Sequence, residues 1–187
     1  YNASNIIREE QKYAFMRELV QKKQLEYEDE AEFITSILGE ISTVKNTGVS
    51  IEHYYSTNCA EDIFRKLYQE YQSYLYGQRL IDFDDMLVYT YELFRERQDI
   101  LGAWQRKFRY ILIDEFQDIN KIQFDVIKML AKPENNLFVV GDDDQSIYRF
   151  RGARPEIMLH FRDDYPDAVQ LLLDTNYRSQ KEIVDAS

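Results

Sequence analysis

Several residue types that would point to particular classes of protein are scarce or absent in this sequence. It holds one cysteine, Cys59, which excludes an internal disulfide and a cysteine-rich metal cluster. Three prolines and six glycines in 187 residues are too few for a disordered chain and favour helical structure. The sequence shows no signal-peptide pattern and no apolar run near the roughly 18 residues of a membrane-spanning helix, so we expect no membrane span. The single cysteine suits a reducing compartment, and we expect a cytoplasmic protein.

Positive charge is also scarce. The 23 Lys and Arg residues stand against 34 Asp and Glu residues, which gives a net charge of -11. Because a nucleic-acid-binding surface neutralises phosphates with Lys and Arg, the overall composition argues against such a partner. Binding depends on local charge, however, so a nucleic-acid partner must be argued from a particular site.

The hydrophobic pattern predicts helices over residues 1 to about 107. Apolar side chains repeat every three or four residues in two stretches, as they do along the buried face of a helix. The stretches run through Phe33, Ile34, Ile37, Leu38, Ile41 and Val44, and through Ile63, Phe64, Leu67, Tyr68, Tyr71 and Leu75. Residues 46–58 are predicted to connect these two helices. Asp82 and Asp85 have the spacing of a capping box, which predicts a further helix.

From Arg109 the pattern changes to short apolar runs that end in acidic residues. Runs at residues 110–113, 137–140 and 169–173 are predicted strands, with a helix over 122–130 between the first two. Continuous apolar strands separated by helices predict a parallel α/β sheet that is buried on both faces. In such sheets ligands bind beyond the carboxyl ends of the strands, which is where the acidic residues fall.

The first acidic segment, ILIDEFQDIN, places Asp114 and Glu115 at the end of the first predicted strand. An NTPase needs two acids there: one holds the Mg²⁺ of the nucleotide, and the other polarises the attacking water. The alternative is an acid-rich helix start that the helix dipole favours. Three more polar residues follow in the same segment: Gln117, Asp118 and Asn120. They make the string rarer, which favours the NTPase interpretation.

The second acidic segment, VVGDDDQSIYRFRGA, follows the second predicted strand. Gln145 is a neutral amide that can sense a phosphate or a water without adding charge. Beyond it lie three arginines and two aromatic residues: Tyr148, Arg149, Phe150, Arg151 and Arg154. This composition is typical of a single-strand binding surface, in which rings stack on bases and guanidinium groups meet phosphates. The alternative is a solvated loop whose arginines pair with the neighbouring aspartates.

A third string, NYRS, holds Arg178 and follows the third predicted strand. An arginine on such a loop can reach a γ-phosphate from a neighbouring domain, as arginine fingers do. Taken alone, the short string is better explained by a helix that begins at Ser179 with Glu182 as its capping-box partner.

In order and spacing, these strings resemble the motifs of superfamily 1 DNA helicases of the UvrD/Rep/PcrA type. ILIDEFQDIN is similar to their Walker B motif, GDDDQSIYRFRGA to their third motif and NYRS to their fourth. IDFDDML, residues 81–87, resembles the segment that returns the chain to the first RecA-like domain after a helical insertion. The resemblance implies an α/β fold, in which a helical subdomain is followed by part of a RecA-like (P-loop NTPase) parallel sheet. The expected boundaries are 1–80 for the helical insertion, 81–175 for the second half of the first motor domain, and 176–187 for the start of the crossover to the second.

The resemblance also implies an ATP-driven motor that moves 3′ to 5′ along single-stranded DNA and acts at duplex junctions in repair, replication or recombination. Asp114 is then expected to bind Mg²⁺, and Glu115 to act as the catalytic base. Gln145 is expected near the γ-phosphate, and Arg178 is expected to contact the phosphates. The residues expected to couple this site to DNA are Tyr148, Phe150 and Arg151.

One element of a complete ATPase is missing from the sequence. No G-x-x-x-x-G-K-[ST] loop occurs, so we expect a fragment that is inactive alone, with ATP and Mg²⁺ bound in the full-length parent. Two other functions remain open. They are the motor part of a helicase-nuclease of the AddA/RecB kind, which shares these motifs, and a non-catalytic interaction module formed by the helical half. The sequence identifies no protein partner and predicts no membrane contact.

In the whole protein, Phe150→Ala is expected to weaken single-strand binding and DNA-stimulated ATPase activity together, because a stacked base contributes about 1–3 kcal/mol. Basal ATPase activity should change far less, since Phe150 is not expected to touch the nucleotide. If Phe150 is instead a core residue, its truncation costs about 3–5 kcal/mol of stability and lowers both activities alike. Thermal stability, basal ATPase activity and DNA affinity, measured on one variant, separate these outcomes.

Overall fold

The computed structural model describes residues 1–145, 153–175, 177 and 179–180. Five helices come first: α1 (Glu9–Lys22), α2 (Glu30–Thr47), α3 (Glu61–Gly77), α4 (Phe83–Glu96) and α5 (Gln98–Lys107). The α/β part follows with β1 (Ile111–Ile113), α6 (Lys121–Ala131), β2 (Leu137–Val139) and the short helices α7 (Pro155–Leu159) and α8 (Phe161–Asp164). Among the described helices, none is both long and apolar enough to cross a bilayer.

Helices α1, α2 and α3 pack around one hydrophobic core, and the two predicted helical faces are confirmed. Ile34, Ile37 and Ile41 of α2 are at most 2% exposed, and Phe64 and Leu67 of α3 are fully buried. Because these residues recur at three- and four-residue steps, one stripe of each helix faces the core. The helical region therefore has a hydrophobic centre of its own.

Capping residues determine where the helices begin and end. Helix α2 ends at Gly48, whose φ of 67° is the left-handed conformation that a glycine adopts without steric cost. The predicted capping box of α4 is confirmed, since the side chains of Asp82 and Asp85 each accept a hydrogen bond from the other's backbone N–H. Asn120 and Gln123 form the same arrangement at the start of α6.

Strands β1 and β2 form a parallel two-stranded sheet with α6 as the crossover, which confirms the predicted parallel arrangement. One face of this sheet, with Ile113 and Val139, packs against a second core. The other face is open, because Leu112 is 72% exposed and Phe138 is 56% exposed. The prediction of a sheet buried on both faces is therefore wrong for the described part of the chain, in which no element covers this face.

The strand predicted at residues 169–173 is not observed. The segment has no regular secondary structure, and its apolar side chains are between 77% and 87% exposed. An apolar run becomes a strand only where a neighbouring strand receives its backbone hydrogen bonds, and no described strand pairs with this one. Hydrophobicity alone therefore does not make this segment a strand.

The chain enters and leaves the helical region at one place. Ile6 and Ile81 form a parallel β-bridge. The backbone N–H of Ile7 donates to the carbonyl of Ile81 at 2.9 Å, and the N–H of Ile81 donates to the carbonyl of Asn5 at 2.8 Å. The two ends of residues 8–80 consequently lie side by side.

A buried ion network joins α2 to the start of α4. The Nζ atom of Lys45 lies 2.6 Å from Asp82 Oδ2 and 2.7 Å from Asp85 Oδ1, and all three side chains are at most 3% exposed. Burial alone would lower the pKa of Lys45, but the two carboxylates outweigh it and hold that pKa above its usual value. Burial and the neighbouring charge of Asp82 raise the pKa of Asp85. The network therefore depends on the lysine charge.

We predict that Lys45→Met lowers the free energy of unfolding at neutral pH by about 3–5 kcal/mol, because it leaves two buried carboxylates without a counter-ion. The loss should shrink as the pH falls toward about 4, near the ordinary carboxyl pKa. Without Lys45 the folded-state pKa values of Asp82 and Asp85 lie above their unfolded values, so the folded state binds more protons and gains stability on acidification. Urea denaturation at neutral and acidic pH measures both effects.

The matched control for this experiment is Lys66→Met. Lys66 is 62% exposed and its contact with Asp62 spans 3.4 Å, so the expected change is below about 1 kcal/mol. If Lys45→Met proved as stable as the control at neutral pH, the buried network would not have the importance assigned to it.

Candidate active site

Two polar turns meet where β1 and β2 end. The hydrogen bonds between the two chain segments continue beyond the ends of the strands. The N–H of Val140 donates to the carbonyl of Ile113 at 2.8 Å, and the N–H of Phe116 donates to the carbonyl of Val140 at 2.9 Å. Since the strands are parallel, residues 114–115 and 141–142 emerge at the same edge of the sheet. The fold thus brings together the two acidic segments that the sequence singled out.

Glu115 has an unusual backbone conformation for a residue other than glycine. Its φ of 51° and ψ of 44° lie in the left-handed region, which costs such a residue about 1–2 kcal/mol. Its N–H donates to the Oδ1 atom of Asp114 at 3.0 Å, and both side chains are exposed at the strand end. Backbone strain of this kind persists where the surrounding structure holds it in place, and it is concentrated at functional sites.

Gln117 links the two turns. Its side chain is 1% exposed. The Nε2 atom donates to Glu115 Oε2 at 2.6 Å, and the Oε1 atom accepts from the backbone N–H of Asp142 at 3.1 Å. These partners fix the orientation of the amide, because a carboxylate can only accept and a backbone N–H can only donate. Gln117 therefore holds the Glu115 carboxylate in a defined place relative to the turn after β2.

The hydrogen bonds continue from Asp142 to Gln145. The Nε2 atom of Gln145 donates to Asp142 Oδ2 at 2.6 Å, and its backbone N–H donates to the Asp142 carbonyl at 3.2 Å. Glu115, Gln117, Asp142 and Gln145 thus form one chain of hydrogen bonds across both turns. Sequence reasoning gave Gln117 no role of its own, although a long amide placed between two acidic turns could have suggested one.

Three of the predicted site residues, Asp114, Glu115 and Gln145, lie at this edge of the sheet. Others fall outside the described residues: Tyr148, Arg149, Phe150, Arg151, Arg178 and Glu182. Arg154 is exposed at the start of α7, where its backbone N–H donates to the carbonyl of Ile119 at 3.0 Å.

The acids at this edge fit a metal ion that is bound together with a nucleotide. Among the described residues, no group of three or more His, Cys, Asp or Glu side chains could hold a metal ion. Mg²⁺ is usually bound by only one or two carboxylates, with waters and substrate phosphates as its other ligands. Asp114, an exposed carboxylate at the end of a parallel strand, suits that arrangement.

Acidic and amide side chains lie at the ends of two adjacent parallel strands that a crossover helix joins. This arrangement is consistent with part of a RecA-like fold. Residues 2–166 match the family described as the UvrD/REP helicase N-terminal domain. Because the match covers most of the sequence, the chain belongs to this family.

Several curated relatives are similar to most of the chain. The YjcD protein of Bacillus subtilis (strain 168) is 45% identical over 179 residues, which cover 94% of this chain and 24% of that protein. The ATP-dependent DNA helicase PcrA of the same strain is 43% identical over 154 residues, or 81% of this chain and 21% of the relative. PcrA of Leuconostoc citreum is 40% identical with the same coverage. The chain therefore spans about a fifth to a quarter of the length of these relatives.

The backbone at Gly141 approaches Gln117 too closely for any side chain. A Cβ atom at Gly141 would lie 2.6 Å from Gln117 Oε1, 3.1 Å from the Gln117 backbone nitrogen and 3.0 Å from Met158 Sδ. The missing side chain is what lets the Gln117 amide reach the N–H of Asp142. No local sequence pattern marks this contact, because Gln117 and Gly141 are distant in sequence.

Gly141→Ala is accordingly expected to lower the free energy of unfolding of this chain by about 1–3 kcal/mol, the usual cost of overpacking. Gly39→Ala is the matched control, since Gly39 lies within α2 and a Cβ there would have no atom within 4 Å. The control should be stabilised by about 0.5–1 kcal/mol through helix propensity. Chemical denaturation of both variants measures the difference, and equal stabilities would contradict the close packing at Gly141.

Proposed function

We propose that the chain is the part of an ATP-dependent DNA helicase motor that carries the catalytic base and the link from ATP to DNA. The observation that supports this most directly is the chain of hydrogen bonds from Glu115 through Gln117 and Asp142 to Gln145. The PcrA relatives are named ATP-dependent DNA helicases. The whole protein would couple ATP hydrolysis to 3′-to-5′ movement on single-stranded DNA, in repair, replication or recombination.

In this proposal each residue at the sheet edge has a separate task. Asp114 would hold Mg²⁺, which neutralises phosphate charge when it is bound with the nucleotide. Glu115 would accept the proton of the attacking water, and Gln117 would keep its carboxylate in the orientation for that transfer. Gln145 would lie near the γ-phosphate, as a neutral amide that changes partners when the phosphate leaves. Arg178 would contact the phosphates as well.

The DNA contacts would follow directly along the chain from Gln145. Tyr148, Phe150 and Arg151 come within six residues of it, and rings with an arginine suit the stacked bases and phosphates of a single strand. A change in the hydrogen bonds of Gln145 would then be transmitted to DNA through a short stretch of backbone. This arrangement supports coupling between the two ligands.

The chain would be organised in three parts. Residues 1–80 would be a helical insertion, 81–175 the second half of the first motor domain, and 176–187 the start of the crossover to the second. The bridge between Ile6 and Ile81 supports the first boundary, because an inserted segment leaves the domain where it entered. The 187 residues contain no glycine-rich phosphate loop, so we expect neither ATP turnover nor tight nucleotide binding from this chain alone.

Glu115→Gln in the whole protein is expected to reduce ATP turnover by roughly 100- to 10,000-fold, the usual contribution of a general base. The new amide keeps the shape and the contact with Gln117, so nucleotide affinity should stay nearly unchanged. Steady-state ATPase assays and equilibrium binding of a nucleotide analogue measure the two quantities. Glu134→Gln, at an exposed glutamate just before β2, is the matched control. If Glu115→Gln turned over ATP at the rate of the control, Glu115 would not be the catalytic base.

A further inference from the structure

The acidic segment after β1 is held at its far end by a contact with the helical region. Asn120 is the N-cap of α6, and its Oδ1 atom accepts from the backbone N–H of Gln123 at 2.9 Å. Its Nδ2 atom donates to the Oδ1 atom of Asn46 in α2 at 2.9 Å. Asn46 and Asn120 are 3% and 6% exposed. A buried side-chain hydrogen bond thus connects residues that are 74 positions apart.

Asn46 makes a second connection on its other side. Its Nδ2 atom donates to Asp84 Oδ1 at 2.7 Å, in the first turn of α4, and to the carbonyl of Ser42 at 3.0 Å. The preceding residue, Lys45, is the centre of the buried ion network with the same turn of α4. Two consecutive residues near the end of α2 therefore contact both α4 and the cap of α6.

We call the contacts of Asn46 with Asp84 and with Asn120 the joint. Its hydrogen bonds require an amide at position 46. The Asp84 carboxylate can only accept a hydrogen bond. Asn120 faces Asn46 with its Nδ2 group, which can only donate, because its oxygen is turned toward the backbone N–H of Gln123. Asn46 therefore has to present a donor to one neighbour and an acceptor to the other at the same time. An aspartate would repel Asp84, and an alanine would leave both neighbours without this partner in a buried place.

The segment between Glu115 and Asn120 is short and is tied at both ends. Near its start the N–H of Phe116 donates to the carbonyl of Val140 at 2.9 Å. At its end Asn120 is hydrogen-bonded to Asn46. Between these ties lies one turn of 3-10 helix, Phe116–Asp118, which follows the left-handed backbone of Glu115 and carries Gln117, the partner of the Glu115 carboxylate. A displacement of α2 would therefore be transmitted to the segment that carries the Glu115 carboxylate.

We propose that Asn46 is a positioning residue for the Glu115 site, and that its bond to Asn120 makes turnover at that site depend on the position of the helical region. The proposal rests on the function proposed above, in which Glu115 is the catalytic base. Neither Asn46 nor Asn120 touches the reacting atoms. Their contribution is to hold the end of the acidic segment in a fixed position relative to α2.

Reversing the polarity of the joint tests the proposal in the whole protein. Asn120→Asp keeps the helix cap, since Asp caps as well as Asn, but it faces the oxygen of Asn46 with a second oxygen. We expect kcat for ATP to fall roughly 5- to 150-fold, the effect of a buried polar group left unsatisfied, with KM unchanged. The second substitution, Asp84→Asn, allows the side-chain amide of Asn46 to rotate by half a turn. It then donates to the carboxylate introduced at position 120 and accepts from the amide introduced at position 84. The double variant should recover part of the lost kcat, because the rotated amide regains both partners but gives up its bond to the Ser42 carbonyl. Asp84→Asn alone should resemble the wild type.

Two further measurements and a control variant separate a positioning role from a purely structural one. Melting curves establish that the variants are folded at the assay temperature, and Asn58→Asp serves as an exposed Asn-to-Asp control. Hydrogen exchange at the amides of Phe116 and Asp118 should be faster in Asn120→Asp and should return toward wild type in the double variant. This exchange experiment also works on the 187-residue chain, without ATP turnover.

The Glu115→Gln variant distinguishes failure of the proposed function from failure of the positioning role of Asn46. If it still turns over ATP, the proposed function is wrong, whatever the joint does. If it is inactive while a folded Asn120→Asp protein keeps its kcat and its exchange rates, the joint is not a positioning device. A double variant that stays as slow as Asn120→Asp, although Asp84→Asn alone is harmless, would also overturn the proposal.

Discussion

The ammonium group of Lys45 is buried against two carboxylates, and the packing of α2 against α4 depends on that constraint. An unpaired charge in such a place costs several kcal/mol, so α2 and α4 can pack only with Asp82 and Asp85 facing the lysine. The next residue, Asn46, then lies against Asp84 and against the cap of α6. One turn of α2 therefore contacts both the start of α4 and the end of the acidic segment after β1.

The second constraint is the close approach of the two strand ends. Parallel pairing brings Glu115 and Asp142 to one edge, but it does not by itself fix where a long glutamate side chain lies. Gln117 supplies that restriction, because its amide contacts the carboxylate and the next turn at once. Gly141 makes room for it by having no Cβ atom. The strained backbone of Glu115 thus lies among contacts within the sheet edge.

The parts of the structure that were predictable from the sequence are those encoded within a few residues. Periodic apolar positions and the pair Asp82 and Asp85 gave the helices and one of their starts, and the acidic ends of two apolar runs gave Asp114 and Glu115 at the sheet edge. The strand at 169–173 was predicted wrongly, because a strand needs a neighbour that the local pattern does not contain. The contacts of Gln117 and Asn46 span 25 and 74 residues, so no local signal marks which amides turn inward.

The bridge between Ile6 and Ile81 gives the helical region a particular kind of modularity. Because its two ends lie together, the backbone could accept a longer, shorter or unrelated segment between them without moving the strands. The chemistry is less permissive, since such a replacement would leave the acids at the start of α4 without the lysine. A transplanted segment would have to bring its own cation and amide to the same spot. The length of the segment between Ile6 and Ile81 can therefore change, whereas the turn of α2 that carries Lys45 and Asn46 has to be kept.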